Sequence, residues 1–114
     1  MESILEHNGV KACVVFDPDI DMFRGEILGL SGSADFYASD VASLKEEMIA
    51  SLESYLEICR GQAIEPYKSY NGKIAFRTKP DIHKKLEELS ISQGLSINKM
   101  LETLVKHGLD AAHI

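Results

Sequence analysis

Cysteine is scarce in this chain: only Cys13 and Cys59 occur in 114 residues, and they stand too far apart in sequence to form a close metal-ligating pair. They read as reduced core residues. Histidine is nearly as thin, with four residues scattered singly, so neither a metal nor another cofactor is expected. Long apolar runs are missing as well. Nothing approaches the roughly 18 residues that a membrane span needs, and the N-terminus lacks the basic stretch followed by an apolar core that marks a signal peptide. The expectation is a cytoplasmic protein with no membrane partner.

Positive charge is in deficit, with 12 Lys and Arg against 18 Asp and Glu and a net charge of -6. That total conceals an asymmetry. Residues 1–69 hold 5 basic against 13 acidic side chains, a balance of -8, whereas residues 70–114 hold 7 against 5, a balance of +2. Two halves of opposite sign are expected to meet different partners. The periodic pattern breaks in the same region, at "GQAIEPYKSYNG" (residues 61–72). The expected organisation is an acidic domain over 1–62, a linker over 63–71 and a weakly basic domain over 72–114.

The basic half opens with "GKIAFRTKP", where apolar and polar residues alternate. A strand there puts Lys73, Ala75, Arg77 and Lys79 on one face and Ile74, Phe76 and Thr78 on the other. Pro80 suits the first position of a helix, and Asp81 suits its first turn. Ile82, Leu86 and Leu89 form the apolar stripe of that helix, and Gly94 is its natural stop. Ser96 then caps a second helix, in which Ile97, Met100, Leu101, Leu104, Val105 and Leu109 recur at helical spacing. About 40 residues in this order cannot bury enough surface to fold alone, and a lone strand leaves both edges unpaired. Two copies remedy both defects, so an obligate homodimer is expected.

"KIAFRTKPDIHKKLEELSISQGLSINKMLETLVKHGL" (residues 73–109) resembles the ribbon-helix-helix repressors of the Arc and MetJ type. The resemblance implies that paired strands enter the major groove of double-stranded operator DNA, with Lys73, Ala75 and Arg77 as the base readers. Arg77 is the strongest of them, because a guanidinium can bond a guanine edge in bidentate fashion. Ala75 departs from the usual polar residue there. The phosphate clamp maps onto Ser96, Ile97 and Asn98 at the start of the second helix, assisted by Lys99, with Lys79 as a further phosphate contact.

In the acidic half, "GVKACVVFDPDIDMFRGEILGL" reads as two strands, 10–16 and 22–28, joined by the turn residues of "DPDID". A short third strand is expected near 34–37. A helix is expected over 41–60, with Leu44, Met48, Leu52, Tyr55, Leu56 and Cys59 on one stripe and Asp40 as its N-cap. The predicted fold is therefore α+β: a three-stranded antiparallel sheet with one helix, followed by a ribbon-helix-helix dimer.

The acidic hairpin "FDPDIDMFRGEILGL", the helix "DVASLKEEMIASLESYLEICRGQ" and the link "EPYKSYNGKIAFR" together resemble the HicB antitoxins. That resemblance runs from about Gly9 to Leu109 and implies a partial RNase H-like or double-stranded-RNA-binding-like N-terminal domain. It also implies a function as an antitoxin and autorepressor: such proteins neutralise HicA, a small basic mRNA-cleaving toxin, and repress their own operon. Asp17, Asp19, Asp21 and Glu26 are the candidate toxin contacts, since opposite potentials favour the right pairing. Ser43 stands where a capping-box glutamate is common.

Other chemistry is argued against by missing residues. Asp17, Asp19 and Asp21 have calcium-loop spacing, but Met22 stands where the loop needs glycine and Leu28 where it needs glutamate. The acids also crowd one turn rather than converging from separate strands, as a two-metal nuclease would require. "LSGSA" (residues 30–34) lacks the lysine and helix of a phosphate loop and reads as a turn. His83, flanked by Lys84 and Lys85, reads as a surface residue. No catalytic residue is expected, and the chain is read as a non-enzyme. The alternative is a stand-alone ribbon-helix-helix repressor whose N-terminal domain senses a ligand or sets a homodimer or higher oligomer.

Overall fold

The computed structural model describes residues 3–114 and divides into two compact units, one extending to Gly72 and one from Lys73 to Ile114. The first contains β1 (Ser3–His7), β2 (Val10–Asp17), β3 (Met22–Ile27), β4 (Asp35–Ala38) and α1 (Val41–Gln62). Its strands form one antiparallel sheet in chain order, β1-β2-β3-β4. The sheet thus has four strands, not the three expected from the sequence. β1 is the one missed. Its signal is Asn8-Gly9, whose φ angles of 49° and 82° make the two-residue turn between the paired residues His7 and Val10. Positive φ at both positions matches the twist of the flanking strands, and asparagine and glycine adopt it most readily.

Strand alternation builds the core. Ala12 and Val14 of β2, Ile27 of β3, and Phe36 and Ala38 of β4 are buried on one face of the sheet. Leu44, Met48 and Leu52 recur every fourth residue along α1 and close against them, with Leu30 completing the cluster. Gly25 lies directly opposite Phe36 in the β3-β4 register, and the Phe36 ring fills the place a side chain would take. A Cβ at that position would lie within 2.6 Å of three ring carbons. The close approach of backbone and ring is what requires glycine there.

α1 begins as its capping residue dictates. The Asp40 carboxylate accepts the Ser43 backbone N–H at 2.8 Å and the Ser43 hydroxyl at 3.0 Å. Serine at this position therefore returns a bond to the cap without the usual glutamate. These bonds, the backbone one foremost, hold the Asp40 carboxyl below its ordinary pKa.

In the second unit, α2 (Pro80–Gln93) and α3 (Ile97–Ala111) pack against one another. Pro80 opens α2, with Asp81 in the first turn. Gly94, at φ 68°, ends it in the left-handed conformation while the Leu95 N–H returns to the Ser90 carbonyl at 2.9 Å. Ser96 caps α3. The interior is small: Leu86 and Met100 are its buried apolar residues, and the buried Ser90 hydroxyl donates to the Glu87 carbonyl at 2.9 Å. Residues 73–79 lie in neither strand nor helix. A ribbon strand needs a second strand for its ladder, which a single chain does not provide.

Candidate functional site

The residues expected to touch DNA all belong to the second unit. Lys73, Ala75, Arg77 and Lys79 are exposed, at every other position of the segment leading into α2. The Lys79 backbone carbonyl accepts the His83 N–H at 3.0 Å, so the segment is fastened to the first turn of α2 at that point. Phe76, Arg77 and Thr78 border a concavity of about 470 Å³ with His83, Leu86, Ile97 and Leu101. The segment therefore lies over the openings of both helices.

At the start of α3 the Ser96 hydroxyl accepts the Lys99 N–H at 3.1 Å, and the Ser96 carbonyl accepts the Met100 N–H at 2.9 Å. That leaves the amides of Ile97 and Asn98 as first-turn donors with no place in the helical ladder. The Lys99 ammonium lies 3.6 Å from Glu102, both side chains well exposed, a pairing that solvent makes weak. Chemically, the end of this helix can receive an anion through two amides, the helix dipole and a lysine.

The apolar side of the same unit is open. Ile82 and Leu89 of α2, and Leu104, Val105 and Leu109 of α3, are each more than a third exposed. Ile74 is 88% exposed and Phe76 57%. These are large apolar side chains left in contact with solvent on a small unit.

The acidic candidates are less unified. Asp17, Asp19 and Asp21 gather in the β2-β3 turn, where the Asp17 carboxylate accepts the Asp19 N–H at 3.0 Å and Asp21 adopts φ 53°. Glu26 stands apart from them, near the far end of β3 and opposite Asp35 of β4. It is exposed, like Arg24 two residues before it. Arg24 donates to the Asp35 carboxylate at 2.7 Å, and that bond and charge raise its pKa further. With α1 on one side, the sheet keeps a second, uncovered side that carries the exposed Ile4, Val15 and Tyr37. Among the described residues no group of three or more His, Cys, Asp or Glu is placed to hold a metal, and no helix is long and apolar enough to cross a membrane. Neither cysteine is in a disulfide; Cys59 is buried, while Cys13 is only half-buried, its neighbours Ala12 and Val14 taking the core side.

Ser31 and Tyr55 have a role here that the sequence did not point to. Tyr55 reads there as one more apolar stripe residue and Ser31 as part of a glycine-rich turn, yet their hydroxyls lie 3.0 Å apart and bond the chain that follows α1. A tyrosine on an otherwise aliphatic stripe was the available signal, since its hydroxyl needs a partner when half-buried.

An acidic α/β layer followed by an amphipathic segment and two helices is the architecture that calls for comparison. The family model described as the HicB family matches residues 55–105, from the last turns of α1 to the middle of α3. The match covers a little under half of the chain and is a similarity to that family over those residues. No curated protein and no solved structure matches the chain.

Proposed function

We propose that this protein is an antitoxin of the HicA/HicB type, which neutralises a small mRNA-cleaving toxin and represses its own operon. The match of residues 55–105 to the HicB family carries the reading. The exposed apolar face of the second unit supports the DNA-binding half of it. Two copies of that unit pair their Lys73–Thr78 segments into an antiparallel ribbon, cover Ile74 and Phe76 between them, and leave Lys73, Ala75 and Arg77 outward toward base edges. The amides at the start of α3 and the side chains of Lys79 and Lys99 take phosphates on either side.

The N-terminal unit, with its excess of carboxylates, covers a basic toxin and excludes RNA from it. In this reading the chain has no catalytic residues of its own, and it acts in the cytoplasm as a homodimer or a higher homo-oligomer. The test is to express the affinity-tagged chain from its own operon and measure the intact mass of what co-purifies. A stoichiometric small basic protein whose expression alone halts growth is expected; its absence, with DNA binding intact, leaves a plain repressor. On the DNA side, Arg77→Ala should abolish discrimination between operator and random duplex and leave the dimer unchanged. Unaltered discrimination rules out that role.

A further inference from the structure

α1 covers one side of the four-stranded sheet and leaves the other open. Strand alternation puts Ile4, Val15 and Tyr37 on the open side, where they are 54%, 40% and 42% exposed. The same alternation and the strand register put four carboxylates there, those of Glu6, Asp17, Glu26 and Asp35, against two cations, Lys11 and Arg24. Glu26 and Asp35 stand directly opposite one another across β3 and β4. Like charges in that relation oppose folding. Arg24 relieves one of them, because its guanidinium donates to the Asp35 carboxylate at 2.7 Å. Glu26 is exposed, and among the described residues it makes no ion pair of this kind.

We propose, resting on the reading of the N-terminal unit as the cover of a basic toxin, that the open side of its sheet is the docking surface for that basic protein. Glu26 and Asp35 are its anion pair, and Ile4, Val15 and Tyr37 its apolar floor. Charge decides the occupant. Four carboxylates against two cations repel nucleic acid phosphates, and a second copy would lay the same negative excess against itself. A lysine or arginine from a basic protein instead supplies the cation that Arg24, engaged with Asp35, does not. Val15 and Tyr37 flank Arg24 in the register, so the aliphatic stem of the incoming side chain has apolar surface to lie on.

The contact is thereby assigned to the sheet and not to the β2-β3 turn. At the turn the Asp17 carboxylate is already engaged with the Asp19 N–H at 3.0 Å, and Asp19 and Asp21 lie at the end of the hairpin, where they act on an approaching partner through the field. Glu26 and Tyr37 lie within the face and lose their water when it is covered. An aromatic side chain and a charged pair in such a position carry most of the energy of an interface, and the rim carries little.

The test titrates the full chain with the small basic protein that co-purifies from its operon, by calorimetry at about 0.5 M salt, where the reach of a charge falls to a few ångströms. Glu26→Lys should weaken binding by about thirtyfold or more, and Tyr37→Ala by about fivefold or more. Glu57→Lys, the same reversal on the exposed side of α1, should change it by less than about twofold. Thermal unfolding of each variant alone controls for the fold; if Tyr37→Ala loosens it, the exposed Glu26→Lys decides. Sheet variants that bind like wild type, or an α1 variant that binds as weakly as Glu26→Lys, overturn the proposal and leave the antitoxin reading standing. If no basic protein co-purifies, both fall. A Glu26→Lys chain whose own oligomeric state changes while its affinity does not assigns the face to a second copy, which also overturns the proposal.

Discussion

The proposed dimer makes a quantitative demand on Phe76. The residue is 57% exposed in the single chain. A phenylalanine presents about 200 Å², so covering the remainder in a ribbon dimer removes on the order of 110 Å² of apolar surface per protomer. At about 25 cal/mol per Å² that contributes roughly 3 kcal/mol per protomer, of which the ring beyond Cβ supplies about 2. Each dimer contains the residue twice. Phe76→Ala should therefore weaken association by about 4 kcal/mol, or roughly a thousandfold in Kd. Sedimentation equilibrium over a range of micromolar loadings gives the comparison, with far-UV circular dichroism to establish that α2 and α3 persist. A wild-type chain that stays monomeric, or a variant that dimerises as tightly as wild type, refutes the reasoning.

The remaining predictions concern the N-terminal unit. Gly25→Ala drives a methyl group into the Phe36 ring and should destabilise by about 1–3 kcal/mol as an overpacked core does; urea unfolding that shifts by less than about half a kcal/mol would show that the ring yields freely. Asp40 supplies a pH signature. Its carboxyl is held below the ordinary value of 3.8, so its contribution is complete above that pH and fades as the pH falls through the lowered folded-state value. The gap in Tm between wild type and Asp40→Ala should be constant near neutrality and narrow below about pH 4; a gap that persists undiminished to pH 2 would contradict the cap. Reversing charge at Asp19 and Asp21 together should slow association with a basic toxin most at low salt, and unchanged stopped-flow rates would dismiss those acids as steering groups.

Some of this was legible along the chain because it rests on short-range chemistry. Pro80, Gly94, Ser96 and Asp40 mark helix ends through their own backbone and side-chain preferences, and the structure has each at the expected cap position. The stripe of Leu44, Met48 and Leu52 needs only helical periodicity. The charge difference between the halves is likewise a matter of composition, and it directs attention to two partners before any geometry is known. β1 was legible too, through Asn8-Gly9, but its short alternation next to the terminus is a weaker pattern than the hairpin after it.

Tertiary structure alone decided the rest. Whether Tyr55 is a core aromatic or an anchor depends on where the chain travels after α1, and no periodicity records a bond from its hydroxyl to a carbonyl eleven residues on. The same holds for Ser31 and Glu65, joined across 34 residues, and for Phe36 and Gly25, whose contact exists only because β3 and β4 pair in one register. Caps and stripes are properties of neighbouring residues and can be read in order. Contacts that close across the fold depend on the path of the whole chain.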